Sequence, residues 1–442
     1  MSESTMRSSH TTSSRFRVDL VVGVGIGRRK SNRLALAGNE EKSVMLQLDF
    51  LHEPVSFKYL QTNMTMSTIK IENLCPFFLL QSPQSGQQEI IAKGWRVGNN
   101  QSSFSPHPMI RLGINGYGRI GRNLHRILLD HPSIEVVAVN SRASAQMRAH
   151  LLKYDSLHGA LPNTITAEED AFTVDGKQVA SLSVKDAQDI PWSDYGVDIV
   201  LESTGKAKTG EMAAAHLGGS VTHVLVSAPM KDDTLTCVFG VNDADITVDV
   251  PVQSNASCTT NCVAPPLKLL AEHYGIENAF VTSIHSFTNS QNLLDNSGRD
   301  LRRARSAVEN VIPTTTGSIK ALAQIIPSLD GRIDGLAFRV PTPTVSICDV
   351  RLVLETATSA EELNQFFRDI AATPEHAKII GVSDGELVSM DFRTDTRSSI
   401  VDAPLTKVLQ GKYVQLMLWY DNEWGYADRL ADYLMRLDSL RT

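Results

Sequence analysis

From residue 109 onward, short apolar runs alternate with stretches in which apolar positions recur every three or four residues. Residues 109–114 (MIRLGI) form a run of strand length, 122–129 (RNLHRILL) carry helical period, and 134–139 (IEVVAV) are again strand-like. Runs at 197–201 (VDIVL) and 221–227 (VTHVLVS) flank a helical pattern over 208–216. Strand and helix in alternation predict a doubly wound parallel sheet, because parallel neighbours need a crossover that a helix supplies. Past residue 256 the rhythm changes. A helix over 263–274, a strand over 279–285 and a polar–apolar alternation over 345–354 (VSICDVRLVL) predict an α+β domain with an antiparallel sheet. A last helical pattern covers 426–440. The expected boundaries are 109–256 for the first domain, 257–421 for the second, and 422–442 for a closing helical segment.

Residues 1–108 lack such a period. Residues 1–17 are rich in Ser, Thr and Arg with Glu3 as the one acid, a loose fit to an organelle transit peptide. The run 23–27 (GVGIG) imitates a phosphate loop, but Arg28, Arg29 and Lys30 follow it and no helical pattern opens. Residues 81–108 are rich in Gln, Ser, Pro and Asn and read as linker. Met109 stands directly before the first strand. The expectation is a poorly ordered or non-native extension over 1–108 and a body without a targeting signal, hence cytoplasmic.

Composition narrows the class. Of 442 residues, 42% are hydrophobic and 21% charged, within the globular range and outside that of disordered or collagen-like chains. No apolar run approaches the ~20 residues that a bilayer helix needs. Five Cys is an odd and sparse count, which suits a reducing compartment better than a disulfide framework. Residues 1–108 hold 12 Lys and Arg against 8 Asp and Glu, and the remainder 30 against 41. An acidic body is a poor partner for nucleic acid, whose phosphates need excess positive charge.

Two features carry chemistry. Gly116-x-Gly118-x-x-Gly121 lies between the first strand and the first helix, the context in which GxGxxG marks a dinucleotide fold. Gly116 permits the tight turn, Gly118 lets backbone approach a pyrophosphate, and Gly121 allows close helix packing. Strand tips such as Glu202–Gly205 and Ser227 should line the cofactor cleft. The second feature is SNASCTTNC over 254–262, which puts Cys258 at a helix start, where the dipole and free N–H groups lower a thiol's pKa. His285 closes a strand 27 residues on and is a candidate base. On spacing alone each also suits a core position, as do Cys237, Cys262 and Cys348. The Cys-x3-Cys pair has no companion pair at ligand spacing, so no metal site is expected.

NGYGRIG (115–121), SCTTNC (257–262), HSFT (285–288), RVPTP (339–343) and WYDNEWGY (419–426) occur together and in order. The set resembles the phosphorylating glyceraldehyde-3-phosphate dehydrogenase family over 109–442. The resemblance implies that Cys258 attacks the aldehyde of glyceraldehyde 3-phosphate, with His285 as general base and NAD or NADP as hydride acceptor. Inorganic phosphate then releases the acyl group. It assigns the two phosphate sites to Ser257, Thr259, Thr288, Arg303, Thr316, Gly317 and Arg339. It places the cofactor on Gly116, Gly118, Arg119, Ile120, Gly121, Ser141, Arg142, Lys185, Ser227 and Asn422. It also implies a homotetramer and a last helix, within 422–442, that packs back on the first domain; from charge and the short apolar runs, neither nucleic acid nor membrane is an expected partner.

Three positions depart from the family pattern. Ser141 stands at the end of the second strand where an NAD-specific fold carries an acid, with Arg142 beside it. Asn296-Ser297 replaces a usual Leu-Pro near the adenosine ribose of a neighbouring subunit. Both changes point to use of NADP, alone or alongside NAD. Ser290 replaces a usual Asp in the substrate-phosphate region, with a modest effect on affinity expected. Two rival readings are an erythrose-4-phosphate dehydrogenase and a non-catalytic binding protein on the same fold. Retention of Thr288 and Thr315-Thr316-Gly317 speaks against the first, and the intact Cys258 and His285 against the second.

Overall fold

The computed structural model describes residues 109–298 and 300–441, together with the backbone of five short strands between residues 19 and 57. The expectation for 1–108 otherwise lies outside the described residues. The chain divides into two units, 1–104 and 105–442, and all that follows concerns the second.

Its first half is built from β1 (Ile110–Asn115), α1 (Arg119–Leu128), β2 (Ile134–Asn140), α2 (Ala145–Lys153), β3 (Ile165–Ala167), β4 (Ala171–Val174), β5 (Lys177–Leu182), β6 (Ile199–Glu202), α3 (Gly210–Ala214), β7 (His223–Val226) and β8 (Val252–Ser254). These strands form one sheet in the order β3-β4-β5-β2-β1-β6-β7-β8. The six from β5 to β8 are mutually parallel, while β3 and β4 add an antiparallel edge. Strand order reverses between β1 and β6, and at such a switch point the carboxyl ends of the strands open a crevice for a ligand. The burial explains the continuous apolar runs. Every residue of β6 and β7 is buried, as expected of strands covered on both faces.

The second half holds α4 (Cys258–His273), β9 (Ile276–Ser286), β10 (Ile312–Thr314), α5 (Ser318–Ile325), β11 (Ile333–Val340), β12 (Ser346–Leu354), α6 (Ala360–Ala371), β13 (Ile380–Ser383), β14 (Ser399–Asp402), β15 (Lys407–Leu409) and β16 (Tyr413–Tyr420). The sheet runs β10-β11-β9-β12-β16-β14-β13, with β15 also on β16. It is mixed rather than antiparallel, because β9 pairs with β11 and β13 with β14 in parallel. The long connection between β9 and β11, which contains α5, makes the parallel return possible. Helix α4 begins at Cys258 and runs through Pro265 and Pro266, whose missing N–H groups interrupt only its second and third turns. Leu267 and Leu270 of α4 pack with Val350, Leu352, Leu416 and Leu418 of the sheet in one core.

Helix α7 (Trp424–Ser439) crosses back to the first half. Tyr426, Leu430, Tyr433 and Leu434 share a core with Ile110, Leu112 and Leu124. Each fully buried side chain of this kind stabilises the packing by about 1.5–3 kcal/mol. Two hydroxyls fix the register: Tyr426 Oη donates to the Ala256 carbonyl at 2.9 Å, and Tyr433 Oη to Gln253 Oε1 at 2.8 Å.

Candidate active site

Ser257 is the amino-terminal cap of α4: its hydroxyl accepts from the Thr260 amide at 3.0 Å. The residue before it, Ala256, has φ +54°, a left-handed backbone that costs a non-glycine residue energy and turns the chain sharply into the helix. Cys258 is therefore the first helical residue. Its Sγ lies 3.4 Å from Nε2 of His285, at the end of β9. Parallel pairing sets Arg339 of β11 directly beside His285, and β10 continues the row with Ile312 opposite Arg339.

The imidazole is clamped on its far side. His285 Nδ1 is 2.7 Å from the Ser286 carbonyl and 2.5 Å from Nη1 of Arg339, which also donates to that carbonyl at 3.0 Å. The Ser286 carbonyl can only accept and favours Nδ1–H, which leaves Nε2 to take the thiol proton, while Arg339 can only donate and so sets its positive charge against that N–H. Burial pushes the Cys258 thiol up to about 11, against the opposing charge of Arg339. Burial, with the same arginine, holds His285 down to about 3. The resting pair is thus neutral. The helix start by itself led to a lowered thiol pKa, and in the folded site desolvation outweighs it.

Hydroxyls and guanidinium groups gather next to this pair. Ser257 Oγ lies 2.9 Å from Ser318 Oγ, which accepts from Thr316 Oγ1 at 3.0 Å. Gly317 caps α5, and a side chain there would meet nothing within 4 Å, so an anion can approach its backbone. Arg303 reaches the same place, donating to Thr314 Oγ1 at 2.7 Å and to the Thr315 carbonyl at 3.2 Å. Arg339 Nε is buried without a partner, an unused donor in the site. Thr259 Oγ1 instead pairs with the buried Tyr420 hydroxyl at 3.0 Å, and Ser283 Oγ joins them at 3.1 Å. Thr288 lies on the loop after β9, its hydroxyl 2.9 Å from Ser290 Oγ.

The crevice at the switch point fits a dinucleotide. Gly116 has φ +99°, and a Cβ there would lie 2.5 Å from the Thr204 amide. At Gly118 an added Cβ would meet nothing within 4 Å, so the backbone there is open to the close approach of a ligand. The amides of Arg119, Ile120 and Gly121 open α1 and have no partner within the helix. Arg119's side chain turns away to Glu423, at 2.6 Å, and to Asp155. Beneath, Asn115 donates to Glu202 at 2.6 Å and accepts from Asn140 at 2.9 Å. Burial raises the Glu202 carboxyl, but hydrogen bonds from His216, Thr204 and Asn115 outweigh it and hold it below its ordinary value. Asn422 Oδ1 accepts from Ser286 and Ser346 at 2.9 and 2.8 Å, which turns its amide nitrogen outward as a donor.

Residues 110–210 match the family model described as glyceraldehyde 3-phosphate dehydrogenase, NAD binding domain, and residues 257–422 match that of the C-terminal domain. A protein of Bacillus cereus named glyceraldehyde-3-phosphate dehydrogenase 1 is 46% identical over 325 residues, spanning 73% of this chain and 97% of the relative. Glyceraldehyde-3-phosphate dehydrogenase of Streptomyces coelicolor is 47% identical with the same coverage. One from Trichormus variabilis is 46% identical over 328 residues, again 73% and 97%. The chain belongs to the glyceraldehyde 3-phosphate dehydrogenase family.

For a member of that family, the sequence left out several residues of the site. Ser318, Ser286, Ser346 and Tyr420 hold the anion, imidazole and amide groups in place, yet each is a lone hydroxyl. Ser286 and Tyr420 lie inside the HSFT and WYDNEWGY motifs without being singled out there, Ser318 follows the helix-capping Gly317, and Ser346 lies in none of the motifs. Around Ser141 the structure adds a residue that the sequence reading did not single out. Arg142 and Lys185 are exposed, whereas Arg148 of α2 is buried and donates to Ser141 Oγ at 2.9 Å. Ser227 closes the crevice between β6 and β7, its amide donating to the Glu202 carbonyl at 3.0 Å.

Proposed function

We infer that this chain is a phosphorylating glyceraldehyde-3-phosphate dehydrogenase, making 1,3-bisphosphoglycerate from glyceraldehyde 3-phosphate and inorganic phosphate. The observation that carries this is the 3.4 Å approach of Cys258 Sγ to His285 Nε2 between a nucleotide crevice and a cluster of anion-binding groups. His285 takes the thiol proton as sulfur attacks the aldehyde carbon, and the resulting oxyanion recovers it as a thiohemiacetal hydroxyl. His285 removes that proton again as the hydride leaves, and the product is a thioester on Cys258. Bound NAD or NADP supplies the hydride acceptor, with Asn422 orienting the carboxamide. The substrate's phosphate and the attacking phosphate divide Ser257, Thr288, Arg303, Thr316, Gly317 and Arg339 between them, with the Thr259 hydroxyl turned to Tyr420 behind the site; inorganic phosphate attacks the thioester carbon and displaces the Cys258 thiolate, which regains its proton from His285.

The cofactor reading extends to NADP. Ser141 offers no negative charge to repel a 2′-phosphate, and Arg142 and Lys185 are exposed beside it. Asn296 and Ser297 are exposed and polar on the loop that the family turns toward a neighbour's ribose. The same segment leaves Leu293, Leu294 and Leu301 66%, 72% and 89% exposed, an apolar patch that a homotetramer would cover. Among the described residues no helix is long and apolar enough to cross a membrane, and we place the enzyme in the cytoplasm. The Ser257–Ser318–Thr316 hydroxyl row favours phosphorolysis over the acid release of an erythrose-4-phosphate dehydrogenase.

Initial rates with glyceraldehyde 3-phosphate and phosphate, run with NAD and with NADP, test this. Comparable turnover with NADP is expected. Turnover with NAD alone would remove the NADP reading, and turnover only with erythrose 4-phosphate would overturn the substrate.

A further inference from the structure

Arg148 is 2% exposed and no carboxylate pairs with it among the described residues. Its guanidinium lies between the carboxyl ends of β2 and β5 and donates only to neutral oxygens. These are Ser141 Oγ at 2.9 Å, the Ser141 carbonyl at 2.6 Å, Ser183 Oγ at 3.2 Å, and the close Ser181 hydroxyl and Leu182 carbonyl. A guanidinium does not lose its proton in a protein, so this is a buried full charge without a counter-charge. Five hydrogen bonds satisfy its donors but leave its field uncancelled. That field emerges where a dinucleotide fold ordinarily places an acid for the ribose 2′-hydroxyl.

We propose that Arg148 is the specificity-determining residue of the adenosine end of the cofactor site, a positioning residue that acts through Ser141 and selects a 2′-phosphate. Ser141 Oγ already accepts from Arg148 Nε and, at 3.5 Å, from the Ala143 amide. Its own hydroxyl proton is not used in either contact and is free to donate to a phosphate oxygen bound there. The ligand supplies the missing negative charge, and the low-dielectric setting makes the attraction stronger than between exposed groups. Exposed Arg142 and Lys185 screen with salt and water, whereas Arg148 does not. The proposal rests on the NADP reading above and names the group that enforces it.

The test is calorimetric binding of 2′-AMP and of 5′-AMP to the full chain, for the wild type and for Arg148→Leu and Arg148→Lys. In Arg148→Leu the affinity for 2′-AMP is expected to fall about tenfold or more while that for 5′-AMP falls far less, since a charge-assisted contact is lost for one ligand only. Arg148→Lys, which keeps the charge, is expected to retain most of the preference. Equal losses for both ligands in Arg148→Leu would mean that Arg148 merely ties two strand ends together, and would overturn the proposal. Should Arg148→Leu not fold, loss of the 2′-AMP preference in Arg148→Lys would overturn it as well. A wild type that does not bind 2′-AMP sinks the NADP reading itself. A wild type that binds it, with Arg148→Leu binding it equally, leaves that reading standing and removes Arg148.

Discussion

The hydroxyls of Ser257 and Ser318 lie 2.9 Å apart and join the first turns of α4 and α5. Cys258 starts one of these helices and the proposed phosphate cradle the other, so under the proposed function this contact would set the distance from thioester to attacking phosphate. Replacing Ser318 by Ala removes the bridge without touching either nucleophile. The KM for phosphate is expected to rise about three- to tenfold, the equivalent of one hydrogen bond, with kcat at saturating phosphate changed less. Initial rates against phosphate concentration measure it, and an unchanged KM would take Ser318 out of the phosphate site.

Cys258 and His285 begin as a neutral pair, which separates two roles that a preformed thiolate would merge. His285→Asn should lower kcat by about 10²- to 10⁴-fold, the range for loss of a general base. Alkylation of Cys258 by iodoacetamide should be slow at neutral pH and climb through the alkaline range, because burial keeps the thiol protonated up to about 11. A plateau already reached by pH 7 would show a preformed thiolate and contradict the desolvated pair.

Acid should weaken the fold through two buried histidines. His125, within 2.6 Å of the Tyr117 hydroxyl, and His285 are both held down to about 3, chiefly by burial, from an ordinary 6.5. Between those values the unfolded chain binds protons that the folded chain refuses, so stability is lost as pH falls from 6.5 toward 3. Thermal melts at pH 7 and pH 4.5 measure the slope. His125→Gln, which keeps a partner for Tyr117 but does not titrate, should flatten it, and an identical slope would exclude His125 as a contributor.

Two glycines of one loop should fail in different ways. Gly118→Val projects into open space from an extended backbone, so the melting temperature should hold while the KM for either nicotinamide cofactor rises tenfold or more, an effect of about 1.4 kcal/mol at least. Gly116→Ala combines a left-handed φ with a backbone contact at 2.5 Å and should cost about 1–3 kcal/mol of stability. Melting curves beside cofactor KM values separate the two, and a destabilised Gly118→Val would show that the space there is already filled.

Much of this architecture was legible because periodic patterns report burial. The strands at Ile110–Asn115 and Ile134–Asn140 appear where the apolar runs are, and the glycine turn between them dictates the crevice. Helix α1 starts three residues before its apolar pattern, because the glycine turn leads straight into helical backbone. The pairing direction of β9 with β11 was not legible, since alternation tells which face is buried and nothing of which way a neighbour runs. At the site, motifs carried Cys258 and His285, while Ser286, Ser346 and Tyr420 act through contacts between residues 60 to 137 positions apart. Arg148 was hidden for another reason. An arginine on a short helix reads as a solvated face, and only the absence of an acid around it in space gives it meaning.

The return of α7 makes the nucleotide-binding half discontinuous in the chain, and this orders its birth on the ribosome. The sheet core is translated before the whole second half, and Tyr426, Leu430, Tyr433 and Leu434, which pack with it, follow only after that half. At ~5–20 residues per second, the interval between the first strand and its lid is on the order of tens of seconds. During that interval Ile110, Leu112 and Leu124 lack the side chains of α7 that complete their core. The core of the first half is therefore completed only once α7 has been made.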